Sequence, residues 1–103
     1  MKILIPVDDD SDYEEAKIVL LKDVQHWILI EHDLGKVISY EFYKTREEIT
    51  DWIDIVVVKN AQEYVWPFME DNIAVLVAPL QRYVEDVIEA YMFKELHDMN
   101  TNY

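Results

Sequence analysis

A mixed β-sheet carrying helices on its faces is the fold class this sequence predicts, and three features predict it. The β-branched apolar runs at 3–7 and 55–58 have the make-up of buried strands, the second that of a central strand covered on both sides. Between them, β-rich runs at 27–30 and 37–42 are separated by a short stretch in which Asp33 and Gly35 supply turn chemistry, so they read as an antiparallel hairpin. From residue 55 onward strand and helix patterns alternate, which is the signature of βα units around a sheet.

Taken in order, the first strand ends at an acidic run, Asp8, Asp9 and Asp10. Ser11 and Glu14 then have capping-box spacing, and Asp12 and Glu15 suit the positive end of a helix dipole, so a short helix is expected over 12–20. Ile18, Val19, Leu20 and Leu21 form a continuous apolar run with no period, which leaves a strand as the alternative there. After the hairpin, Thr45 stands three residues before Glu48, and Ile49, Trp52 and Ile53 recur at helical intervals; a brief helix is expected. Ala61, Tyr64, Val65, Phe68 and Met69 have helical spacing, and Pro67 must either open that helix or kink it. A strand at 73–77 ends before Pro79. Val84, Val87, Ile88, Tyr91, Met92 and Leu96 mark one stripe of a long last helix, and 100–103 reads as a frayed tail.

The 103 residues suffice for one domain, 1–103, and not for two. No apolar run approaches the ~20 residues that span a bilayer, and the opening is too short for a signal-peptide core, so a cytoplasmic location is expected. Cysteine is absent, which removes disulfides, thiolate metal sites, cysteine nucleophiles and thiolate-held iron–sulfur clusters from consideration. Twenty-two acidic residues stand against nine basic ones, a net charge of −13 that repels nucleic acid and anionic membranes. With Gly35 the single glycine, neither a P-loop nor a dinucleotide-binding fingerprint can be built.

Candidate chemistry centres on Asp8, Asp9 and Asp10, just past a strand's carboxyl end, where α/β sheets place ligands. Carboxylates there could hold Mg²⁺ or Ca²⁺, although the spacing is not that of an EF-hand and a solvated acidic loop is the commoner outcome. Asp8, Asp54 and Glu63 are the residues a two-metal nuclease would need, but the charge gives little to hold a polyanion. His26 and His32 lie about 20 Å apart if one strand runs through both, too far to share a metal, and His97 falls at the end of the last helix. These three are expected to be structural or surface residues. Ser11 and Ser39 lie in no nucleophile-elbow sequence. Tyr40, Phe42 and Tyr43, with Trp52, Trp66 and Phe68, could leave aromatics exposed at an interface, although their spacings also suit strand and helix cores, the favoured outcome for the group. Tyr91, Met92 and Phe93 widen the apolar face of the last helix and are candidates for a protein interface or a homodimer.

Four strings carry a family resemblance: Met1-Lys2-Ile3-Leu4-Ile5-Pro6-Val7-Asp8-Asp9; His26-Trp27-Ile28-Leu29-Ile30 followed by Gly35-Lys36-Val37; Asp54-Ile55-Val56-Val57-Val58; and Val84-Glu85-Asp86 with Ala90-Tyr91 and Leu96. In order and spacing they resemble the dinitrogenase iron–molybdenum cofactor biosynthesis family, which includes NifX and the C-terminal domain of NifB. The resemblance implies an RNase H-like three-layer α/β fold of about five strands. It also implies a role in binding or carrying an iron–sulfur cofactor precursor. The chain departs from the family pattern at three places. The His-Phe-Gly motif before the second strand corresponds to Leu20-Leu21-Lys22, so the expected ligand histidine is absent. The glycine-rich turn after the central strand reads Lys59-Asn60-Ala61, and the glycine near the C-terminus is Lys94. No cofactor ligand is carried over.

A non-enzymatic binding or carrier domain is therefore expected, with a groove near the exit of the first strand. The alternatives are a protein-interaction or oligomerisation domain and a metal-dependent hydrolase at the acidic loop.

Overall fold

Apolar, mostly β-branched side chains dominate the strand at the middle of the sheet. In the structure, a computed structural model that describes residues 1–99, β1 (Lys2–Val7) is buried from Ile3 to Val7. The tail expected to fray, 100–103, lies outside the described residues. On one side β1 pairs antiparallel with β2 (His26–Asp33), matching Ile3 to Ile30 and Ile5 to Ile28. On the other it pairs parallel with β4 (Ile55–Val58), matching Ile3 to Ile55. β3 (Lys36–Tyr43) adds to β2, β5 (Ala74–Val77) adds parallel to β4, and the two-residue β6 (His97–Asp98) closes the far edge, for an order β3-β2-β1-β4-β5-β6.

Because successive side chains on a strand point to opposite faces, β1 feeds two cores. Ile3, Ile5 and Val7 pack under α2 (Val84–Met92) with its Val84, Val87 and Ile88. Leu4 faces the other way, with Trp27, Leu29, Val56 and Val58, toward Phe68 of α1 (Trp66–Glu70). The chain thus has the mixed-sheet, RNase H-like three-layer arrangement that was expected, with a sixth, short edge strand in addition. Among the described residues no helix is long and apolar enough to cross a membrane.

The hairpin is longer and its turn tighter than the apolar runs indicate. β2 and β3 extend to Asp33 and Lys36, which pair directly, leaving Leu34 and Gly35 as a two-residue turn with φ of 52° and 78°. Positive φ at both central positions is the requirement of a type I′ turn, and Gly35 meets it freely. Leu34 does not, since a left-handed L-residue costs about 1–2 kcal/mol, and at 88% exposure it gains no packing in return. Leu34→Asn is expected to stabilise the fold by about 1 kcal/mol, read as a higher urea midpoint at unchanged slope.

Four helical expectations are corrected in part. No helix forms over 12–20: Ser11 bonds through its hydroxyl and its N–H to Asp9, and the Asp12 carboxylate accepts the Glu14 N–H, so local side-chain-to-backbone bonds hold a turn instead. Lys17 and Ile18 then make isolated bridges to Tyr83 and Val7, tying this segment between the end of β1 and the start of α2. The Thr45–Glu48 capping box is present, but it starts a single 3-10 turn (Arg46–Glu48), after which Ile49 and Ile53 turn into the α1-side core. Pro67 opens a helix and does not kink one, so α1 begins only at Trp66. α2 stops at Met92, four residues short of Leu96.

The stop has a clear cause. Lys94 sits at φ 58°, its N–H bonds the Tyr91 carbonyl, and the Glu95 N–H bonds the Ala90 carbonyl, which together make a Schellman motif. Lys94 is also the position at which the family resemblance places a glycine. Lys94→Gly is expected to raise stability by about 1 kcal/mol for the same left-handed reason, checked by thermal or urea unfolding.

Candidate functional site

The acidic loop does not gather its carboxylates. The Asp8 carboxylate accepts the Lys17 N–H at 3.0 Å, while Asp9 takes the Ser11 hydroxyl at 2.9 Å, and Asp10 lies 3.6 Å from Nδ1 of His26. Each side chain thus turns to a different neighbour, and among the described residues no group of three or more His, Asp or Glu converges as a metal-binding set. The Ser11 hydroxyl and N–H hold the Asp9 carboxyl below its ordinary range, which fits a turn-forming acceptor.

Asp54 and Glu63 are separated by the sheet itself. Asp54 precedes β4 and accepts the Lys2 N–H at 2.8 Å and Nε1 of Trp52 at 3.1 Å, at the end opposite to Asp8 because β1 and β4 run parallel. Glu63 follows β4, and its carboxylate accepts the N–H groups of Lys59, Asn60 and Leu21. One side chain therefore pins the 59–63 turn to the segment that follows the acidic loop.

The histidines go to three places. His26 flanks the acidic loop, His32 is buried edge-on to Tyr91 at 5.5 Å between centroids, and His97 is exposed on β6. Of the candidate interface residues on α2, Tyr91 is half-buried by that contact, while Met92 and the C-cap residue Phe93 are exposed, Phe93 by 67%. The other aromatics divide. Phe68 is buried, Phe42 and Tyr43 pack against the two cores, and Tyr40 stacks on Tyr13 at 4.9 Å. Trp52 and Trp66 stand largely in solvent. Ser39 is exposed on β3, opposite Glu31.

Two further groups have strong electrostatic surroundings. A hydrogen bond from Lys2 to Glu31, reinforced by Asp51, raises the Lys2 ammonium above its usual value. Tyr43 donates to the Glu41 carboxylate at 2.6 Å, and that bond pushes its phenol from 10.0 up to about 12. The neutral phenol is the donating form, so this stabilisation is complete below pH 10.0 and is lost as pH climbs through about 12. The tyrosinate absorbance of the native protein minus that of Tyr43→Phe should titrate late. Glu41→Gln should return it toward the ordinary value.

A groove lies where the parallel strands deliver their carboxyl ends. Segments following β1, β4 and β5 meet there and enclose two adjoining hollows of about 560 Å³ each, which share Leu20, Asn60 and Gln62. Val77, Pro79 and Met99 give one hollow an apolar wall, with His97 at its side. Leu21, Lys22 and Tyr64 bound the other. Each volume falls in the range of small-molecule pockets, and the carboxyl end of the strands is the ligand-bearing edge of α/β sheets. A smaller cavity of about 300 Å³ lies near the opposite end, where Arg46 closes on Asp71 at 2.7 Å.

Of the groove's lining residues, sequence patterns single out Glu63, as a nuclease carboxylate, and His97, as a structural or surface residue, and neither as part of a groove. Leu20, Asn60, Gln62 and Pro79 belong to loops, come from distant parts of the chain and form no motif. One signal was available all the same. Leu20-Leu21-Lys22 and Lys59-Asn60-Ala61, the two loop stretches at which the chain departs from the family pattern, both line this groove.

No protein-family profile matches the chain, and no curated protein sequence matches it. Solved structures do. A dinitrogenase candidate from Methanocaldococcus jannaschii superposes with a TM-score of 0.74 at 18% identity, over 95% of this chain and 93% of that one. The protein PH0822 superposes with a TM-score of 0.73 at 16% identity, over 95% and 96%. At such identities the likeness is one of fold.

Proposed function

We propose that this chain is a non-enzymatic binding or carrier domain related to the iron–sulfur and iron–molybdenum cofactor biosynthesis proteins, holding a small ligand in the groove at the carboxyl ends of β1, β4 and β5. One observation carries the reading. The stretches that stand where the family has its ligand histidine and its glycine-rich turn are brought together on a single groove of ligand-sized volume. The shared fold supports it, and the neighbour from Methanocaldococcus jannaschii is itself a dinitrogenase candidate. The lack of cysteine suits a cytoplasmic carrier that holds its cargo without thiolates.

Metal content and absorbance of protein purified without oxygen from its native host test the cofactor version. A coloured, iron-containing sample is the expected result for a carrier that has kept its cargo. Colourless, metal-free protein whose melting temperature is unmoved by a panel of metalloclusters would end that version, since a ligand that binds only the folded state must raise it.

A second reading, a protein-interaction or homodimerising domain, is favoured by the exposed Met92 and Phe93 at the end of α2. Light scattering that reports a strict monomer at all working concentrations, with no partner retained in a pulldown, would rule it out.

A further inference from the structure

We infer that the groove selects an organic anion, with a negatively charged head set between Lys22 and Lys59 and an apolar body lying over Leu20, Val77 and Pro79; this rests on the groove being the binding site. The argument begins with charge. The chain as a whole is strongly acidic, at −13, yet among the described residues Glu63 is the one acidic side chain that lines the groove. Its carboxylate is already engaged by three backbone N–H groups, those of Leu21, Lys59 and Asn60, so its charge is largely met within the protein.

The two lysines have no such partner. Among the described residues neither Lys22 nor Lys59 takes part in an ion pair, although acids outnumber bases by more than two to one along the chain. Lys59 lines one hollow and Lys22 the other, so among the described lining residues basic side chains outnumber acidic ones, the reverse of the chain as a whole. A charge distribution of that kind guides an anion to one place and repels it elsewhere. Beside the polar Asn60, Gln62 and His97, the lining carries Leu20, Leu21, Val77, Pro79 and Met99, an apolar part that offers an aromatic or alkyl body a surface to cover, with about 560 Å³ in each hollow. A bare inorganic anion would leave that surface unused, and a neutral ligand would leave the lysines unused.

Two fluorescent probes of one ring system separate these cases: anilinonaphthalene sulfonate, which is anionic, and N-phenylnaphthylamine, which lacks the sulfonate. The expected result is that the sulfonate binds about tenfold more tightly, equivalent to ~1.4 kcal/mol, with amide shifts centred on Asn60, Gln62 and Val77. Raising the salt concentration should narrow the gap. Lys22→Gln combined with Lys59→Gln should erase it while leaving the neutral probe's affinity unchanged. If both probes perturb the groove equally and the double variant alters neither, the anion selectivity is overturned and the groove reading stands. If neither probe perturbs the groove amides, the groove reading itself is overturned, and the selectivity with it.

Discussion

Leu4→Ala is expected to cost about 3 kcal/mol of stability, within the range measured for leucine truncations in well-packed cores. Leu4 is fully buried on β1, the strand flanked by pairing partners on both sides, and its side chain is part of the α1-side core with Val56 and Val58. Neighbouring strands are held by their own hydrogen bonds and cannot collapse into the space left behind. The loss therefore includes a cavity as well as the lost transfer energy. For a domain of this size, with total stability of about 5–15 kcal/mol, the variant should unfold at a markedly lower urea concentration with an unchanged slope. A loss under ~1 kcal/mol would contradict the central placement of this strand.

Glu63→Ala is expected to cost about 2–3 kcal/mol and to unmake the groove, because three N–H groups lose a charged acceptor at once. Two of these donors, Lys59 and Asn60, open the turn after β4, and the third, Leu21, belongs to the segment following β1. Without the carboxylate those segments have no common anchor. Hydrogen exchange at the three amides should accelerate together, and probe binding should weaken with them. Glu63→Gln keeps the length of the side chain but one acceptor oxygen, and an intermediate loss would separate the acceptor's contribution from mere packing.

What could be read from the residues follows from how local the causes are. Strands β1 and β4 were legible because uninterrupted β-branched runs have few other uses in a globular domain. The helix expected over 12–20 was not, since Asp9 and Asp12 compete for the very N–H groups a helix would have capped. That competition is visible only once Ile18 is known to pair beside Val7. The end of α2 is not legible in the apolar stripe, because a lysine, Lys94, occupies a left-handed position that a glycine would have announced. The acidic loop was found as a feature, but its aspartates bond backbone and neighbouring side chains one by one. The groove, by contrast, is made of ordinary loop residues whose common location depends on the order of strands, and no local pattern encodes that order.

The order of strands also dictates how the chain must find its structure. Ile3 pairs with Ile30 through a connection that can form by successive hairpins, but it pairs with Ile55 only after the chain has looped back from far downstream. Closing that loop loses entropy before any contact rewards it, so docking of β4 onto β1 is the slow event, later than the meander of β1, β2 and β3. The rate should lie between those of helical bundles and of β-sandwiches. Until that docking occurs, one side of β1 stays available to other chains, and dilute conditions during refolding should improve recovery of the native protein.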